Sequence, residues 1–155
     1  VFAFLLSSCI ITINTNRYEF LNDTSKQIIK PFEKSFSYKK SYDGKNLTLF
    51  EINSMNINYI TKNNEYTWLH IWNPYCHNDH CVNIKPFEEI ANKYSLNGLN
   101  LIMASSTYDL KQIKNTIDVS GFEQKVYVLE NDYYGRKLKQ IRNKLNEKHI
   151  KQLII

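Results

Sequence analysis

Six consecutive residues of this chain, Cys76 to Cys81 in "WNPYCHNDHC", hold two of its three cysteines, two of its four histidines and an aspartate. Two thiols beside two imidazoles support three kinds of chemistry. Cys76 and Cys81 exchange disulfides as a redox pair, they close a structural staple, or together with His77 and His80 they offer soft ligands for copper(I) or zinc(II). Geometry weighs among these. Residues five apart on a regular helix are about 140° out of phase, and their α-carbons lie beyond the ~4.4–6.8 Å that a disulfide bridges. A Cys76–Cys81 bond therefore needs residues 77–80 to form a loop, with a helix starting near Asp79 or Cys81 and Asp79 as its N-cap. Such a short loop gains little entropic stability from a staple. A tetrahedral zinc site drawn from one short loop would be strained. A redox pair is favoured, because a cysteine facing a helix N-terminus has its thiolate stabilised by the helix dipole. His77 and His80 would add proton-transfer capacity or positive charge.

These residues need elements to hold them. "YTWLHIW" (Tyr66–Trp72) has the dense β-branched and aromatic character of a buried strand and breaks at Asn73-Pro74. Apolar positions from Val82 to Tyr94 fall at helical spacing, with Asn97-Gly98 as the stop. Leu99–Thr107 is the next buried strand, Asp109–Ile117 a helix ended by Gly121, and Lys125–Asp132 a further strand. From Arg136 an amphipathic basic helix turns Leu138, Ile141, Leu145 and Ile150 inward. Upstream, Asn46–Ile52 and Asn56–Lys62 read as a hairpin of two strands, entered by the turn Tyr42–Lys45. Asp23–Lys30 reads as a short helix ended by Pro31. The alternation of strand and helix predicts an α/β domain.

The N-terminus frames the chemistry. "VFAFLLSSC" is an apolar run far short of the ~20 residues needed to span a membrane, and Leu6-Ser7-Ser8-Cys9 resembles a bacterial lipobox. That resemblance implies cleavage before Cys9 and lipid on its thiol, giving a membrane-anchored protein of the cell envelope, on the periplasmic or extracytoplasmic side. It leaves Cys76 and Cys81 as a pair where disulfides persist. The net charge of +5 is spread along the chain and mixed with acids, which argues for a solvated surface and against a nucleic-acid partner.

Trp72, then Tyr75 and Cys76 between a core strand and a helix, with Pro86 five residues after Cys81, resemble the active site of the thioredoxin-like superfamily. Within it the chain looks most like the TlpA-like, membrane-anchored thiol–disulfide oxidoreductases. The likeness runs from about Leu47 to Asp132. It implies a central mixed sheet flanked by helices, with Cys76 as attacking nucleophile and Cys81 as resolving thiol. It also implies an aromatic rim of Trp72, Pro74 and Tyr75, and His70 in the place of the family's buried acidic group that assists proton transfer. The partners would be a protein substrate and an upstream electron donor, with no cofactor. The chain has four residues between its cysteines where the family usually has two, and no proline near Gln124 or Lys125, where the family's cis-proline falls. The alternative that the cluster keeps open is a Sco-type copper chaperone using Cys76, Cys81, His77 and His80, with His149 as the late histidine; a third reading is a degenerate domain that binds a partner without chemistry. The expected organisation is a signal-peptide remnant at 1–9, a tether and N-terminal extension at 10–42, and the thioredoxin-like domain at 43–155, cut short of the family's terminal hairpin.

Overall fold

The computed structural model describes residues 16–34, 40–75, 83–135, 140, 143 and 144. Within them a 3-10 turn, Tyr18–Phe20, is followed by helix α1 (Asp23–Lys26), strand β1 (Ile29–Lys30) and strand β2 (Leu49–Ile52). Helix α2 (Ser54–Lys62) leads to strand β3 (Tyr66–Trp72), helix α3 (Lys85–Lys93) to strand β4 (Leu99–Ser105), and helix α4 (Leu110–Ser120) to strand β5 (Val126–Leu129). A one-turn helix α5 (Asn131–Tyr134) follows. The five strands form one sheet in the order β1-β2-β5-β4-β3, and every pairing is parallel.

The sequence therefore encodes an α/β fold, but the mixed sheet is corrected: the described strands are all parallel. β2 to β5 are joined through helices, and a helical crossover returns the chain to the same end of the sheet, whereas an antiparallel neighbour needs a tight turn. The only hairpin expected in this stretch, Asn46–Ile52 with Asn56–Lys62, does not form. Its first half is β2 and its second half is α2. Asn53 caps α2, its side chain accepting from Met55 N (2.9 Å) and Asn56 N (3.1 Å). Asn56 Oδ1 accepts in return from Asn53 N (3.0 Å), closing a capping box. Ile57 and Ile60, three apart, are then buried together, a spacing that suits a helix and not a strand.

The two faces of the sheet carry separate cores. Trp72, Leu101, Met103, Val126 and Val128 pack with Ala91 of α3 and with Ile113 and Ile117 of α4. On the other face Ile102, Ala104 and Leu129 pack with Ile57 and Ile60 of α2. Connections of one hand explain the division: α2 carries the chain across the sheet from β2 to β3, while α3 and α4 bring it back strand by strand, so they fall on the opposite face. With both faces covered, these strands read as continuous apolar runs.

Three boundaries given by the apolar pattern are moved by the structure. The helix expected over Asp23–Lys30 stops at Lys26, because Ile29 and Lys30 pair with Leu49 and Phe50. The helix expected from Val82 starts at Lys85: Asn83 Oδ1 accepts from Lys85 N (3.1 Å) and Pro86 sits in the first turn. There a missing N–H costs nothing, so Pro86 starts this helix and does not kink its interior. The strand expected to reach Asp132 ends at Leu129, where Glu130 N is already bonded to Ile52 O (3.0 Å) and α5 begins. Of the basic helix expected from Arg136, Gln140, Asn143 and Lys144 are described and helical; its apolar positions Leu138, Ile141, Leu145 and Ile150 lie outside the described residues.

Candidate functional site

Parallel strands end together, so the segments after β2, β3, β4 and β5 gather at one end of the sheet. In open parallel sheets that C-terminal end is where ligands and chemistry are placed. The start of the cysteine motif belongs to it. The carbonyl of Trp72, the last residue of β3, accepts from Ser106 N (2.9 Å). Asn73 Oδ1 then accepts from Tyr75 N (3.0 Å), a local turn that redirects the chain at Asn73-Pro74. Cys76, His77, His80 and Cys81 lie outside the described residues, as do Cys9 and His149.

The neighbours of the motif separate by burial. Trp72 is 3% exposed and belongs to the core on the α3–α4 face. Pro74 is buried as well. The expected rim position of both is corrected: the alternation of β3 turns Trp72 inward, and Pro74 in the turn that follows is buried. Tyr75 stays partly exposed. The Trp72 indole N–H has no hydrogen-bond partner among the described residues.

His70 shares the face of Trp68 and Trp72. Its ring stacks on Phe87 of α3 at 4.0 Å between centroids and 31° between planes, with Trp68 edge-on at 6.3 Å. Burial pulls its pKa down to about 4, so it is neutral at pH 7 and a weak base. The packing fits an aromatic core contact.

A network that the sequence reading missed surrounds Tyr75. Arg17 Nη1 donates to Tyr75 Oη (2.8 Å), and the Tyr75 hydroxyl donates to Asp109 Oδ2. Arg17 Nη1 also lies 3.5 Å from Asp109 Oδ2. The other oxygen of Asp109 accepts from Gln112 N (3.1 Å), capping α4. Burial, and then the Asp109 carboxylate, push the Tyr75 phenol up to about 12, so it remains a donor at neutral pH. Beside this network Asn16, 1% exposed, bridges the segments after β4 and β5. Its amide donates to Asn131 Oδ1 (3.1 Å), and its carbonyl accepts from Tyr108 N (2.7 Å) and Thr107 Oγ1 (3.1 Å). Tyr108 completes the floor, its hydroxyl shared between Glu51 Oε1 (2.9 Å) and Leu129 O (3.0 Å) while accepting from Asn131 N (3.1 Å).

Asp109 was visible as the start of a helix. Asn16 and Arg17 carried no signal, because they lie in a polar segment read as tether and their partners are 58 to 119 residues away. A surface cavity of about 460 Å³ lies at the opposite end of the sheet, between Tyr42–Gly44 and the C-terminus of α4; no candidate site residue lines it.

No protein-family model, curated protein or solved structure matches the chain at a significant level. Fold and site together define an α/β protein with a parallel sheet, two cores, and a cysteine-rich motif that begins where β3 ends.

Proposed function

We propose that this protein is a thiol–disulfide oxidoreductase of the cell envelope, TlpA-like in its cysteine motif, carried on a parallel α/β sheet and tethered by lipid on Cys9. The observation that carries the reading is the exit of Trp72–Tyr75 from β3 at the C-terminal end of a parallel sheet, with α3 returning against the same face from Lys85. The order strand, cysteine motif, helix supports the reading, because a thiol between a strand end and a helix N-terminus is the kind activated for exchange.

In the proposed reaction the Cys76 thiolate attacks a substrate disulfide, forming a mixed disulfide and releasing one substrate thiolate. Cys81 then attacks Cys76 Sγ, the second substrate thiol leaves, and the Cys76–Cys81 disulfide holds the oxidised state. The substrate gains two electrons; an upstream dithiol restores the pair. Run backwards, the same steps oxidise a substrate.

A redox titration of the purified domain, with and without copper(I), tests the reading. A reversible two-electron couple supports it, and stoichiometric tight copper binding without such a couple overturns it in favour of a copper chaperone. With Cys81 replaced by Ser, mixed disulfides should accumulate through Cys76, and in the reduced parent Cys76 should alkylate faster than Cys81. Equal alkylation rates, or trapping only when Cys76 is replaced, would reverse the two roles. Mass spectrometry of the membrane fraction tests the anchor: an unmodified Cys9 in the mature chain rules it out.

A further inference from the structure

We propose that Asn16 acts as an internal ligand, closing a slot for an asparagine-bearing peptide at the point where the connections of the sheet change sides. The inference stands apart from the thiol chemistry and rests on topology and hydrogen bonding. β4 leads into α4, whose Ile113 and Ile117 pack on one face of the sheet. β5 leads into α5, whose Tyr134 packs on the other face with Ile57 and Ile60. The segments leaving these two neighbouring strands therefore part, and a crevice lies between them at the C-terminal end of the sheet. In open parallel sheets that crevice is where ligands bind.

Both walls of the crevice present polar groups of fixed polarity. The Thr107 hydroxyl accepts from Asp109 N (3.3 Å), so its own proton is directed to the Asn16 carbonyl (3.1 Å). The same carbonyl accepts from Tyr108 N (2.7 Å). On the other wall the Asn131 amide nitrogen donates to Asp132 Oδ1 (3.1 Å), and its oxygen accepts from the Asn16 amide (3.1 Å). Gly135 O accepts from that amide as well (3.4 Å). A pair of donors thus converges on one carbonyl and a pair of acceptors on one NH2 group. That pattern reads an asparagine residue by its main chain and its side chain together. The residue in the slot belongs to neither wall: it comes from 91 to 119 residues upstream and is 1% exposed.

Its hold on the slot is local. Beyond Asn16 the segment is tied by the Arg17 bond to Tyr75 (2.8 Å) and by the Tyr18 ring, edge-on to Tyr108 at 5.0 Å. The turn Tyr18–Phe20 has no buried residue, and Phe20 is 70% exposed. Arg17 has a φ of 66°, a left-handed conformation that residues with a side chain disfavour. A segment anchored by one buried polar residue, with strain beside it, opens at less free energy than the sheet beneath it. Lifting it leaves the groups of both walls without partners, and water or a competing amide must satisfy them. A carboxylate in place of the amide has no proton to give Asn131 Oδ1 and Gly135 O, so the slot selects asparagine over aspartate.

Two measurements on the full chain test this. In the parent, hydrogen exchange at the Tyr108 main-chain N–H, which the Asn16 carbonyl covers, should run about a hundredfold faster than at the amides inside β4 and β5. Equal protection would make the segment a fixed part of the fold and overturn the proposal. The second measurement uses a labelled, acetylated peptide Asn-Arg-Tyr-Glu-Phe, the sequence of residues 16–20, and reads binding by fluorescence anisotropy. It should bind the full chain carrying Asn16→Ala about tenfold more tightly than the parent, whose slot is filled. Aspartate in place of the peptide's asparagine should weaken binding about tenfold. No binding to the variant, or binding indifferent to that replacement, overturns the proposal. Should Asn16→Ala fail to fold, the exchange rates of the parent decide it alone.

Discussion

Trp72 and Tyr75 stand three residues apart in one motif and are held by different physics. Trp72 fills the core, so Trp72→Ala should cost about 3–5 kcal/mol in urea unfolding. Tyr75 is held by its hydroxyl, so Tyr75→Phe should cost only about 1 kcal/mol; a similar loss for both would undo the distinction. His70 adds a pH signature. Its folded pKa of about 4 lies below the ordinary ~6.5, so folding favours the neutral ring. The associated stability is fully present above pH 6.5 and is lost as pH falls toward 4, up to about 3 kcal/mol. Glu51, whose pKa is raised chiefly by burial, works the other way: its carboxylate form is the one disfavoured in the folded state. The comparison that isolates His70 is therefore parent against His70→Phe. Unfolding free energies measured between pH 7 and 4 should show the parent losing ground to the variant, and a flat difference would refute the assignment.

At the scale of elements, α2 shows what short-range pattern leaves open. "NINYITK" alternates well enough to pass for a strand, with Ile57, Tyr59 and Thr61 on one side, and equally places Ile57 and Ile60 on one face of a helix. The capping box at Asn53 decides locally, and the uncovered face of the sheet decides globally. Asn53 also donates to Glu130 Oε2 (2.5 Å), joining the end of β2 to the end of β5. Asn53→Ala should therefore cost about 1–2 kcal/mol, seen as a lower midpoint in thermal unfolding. Asn53→Asp, ordinarily a good cap, should be worse than the parent because it exchanges the donor to Glu130 for a like charge. A stability equal to the parent's would show that the Glu130 contact carries no weight. The strands β3, β4 and β5 and the helices α3 and α4 were legible within a few residues, since long apolar runs and spaced apolar faces dominate their neighbourhoods. β1 was not. Two residues carry no period, and only the pairing with Leu49 and Phe50 makes them a strand.

For the molecule as a whole, the structure draws residues upstream of 43 into the fold. β1 adds an edge to the sheet, the Ser41 hydroxyl is bonded to Val126 N (2.7 Å), and Asn16 joins two of the segments at the C-terminal end of the sheet. A chain beginning at Asn16 should unfold cooperatively with nearly full stability. One beginning at Asp43 should be markedly less stable and more easily cut by protease at the ends of β4 and β5; equal protease resistance of the two would show that the upstream segment is a mere tether. The sequence by itself determined the α/β class, most of the buried strands, the chemical character of the cysteine motif and its place after β3, because those follow from apolar periodicity and from the kinds of side chain present. Only tertiary structure decided that the strands run parallel, that "NINYITK" is a helix, that Trp72 and Pro74 are interior, and that Arg17 stands over Tyr75. Each of these depends on which distant surface is left to be covered or which distant donor is within reach, and no local pattern of residues contains that information.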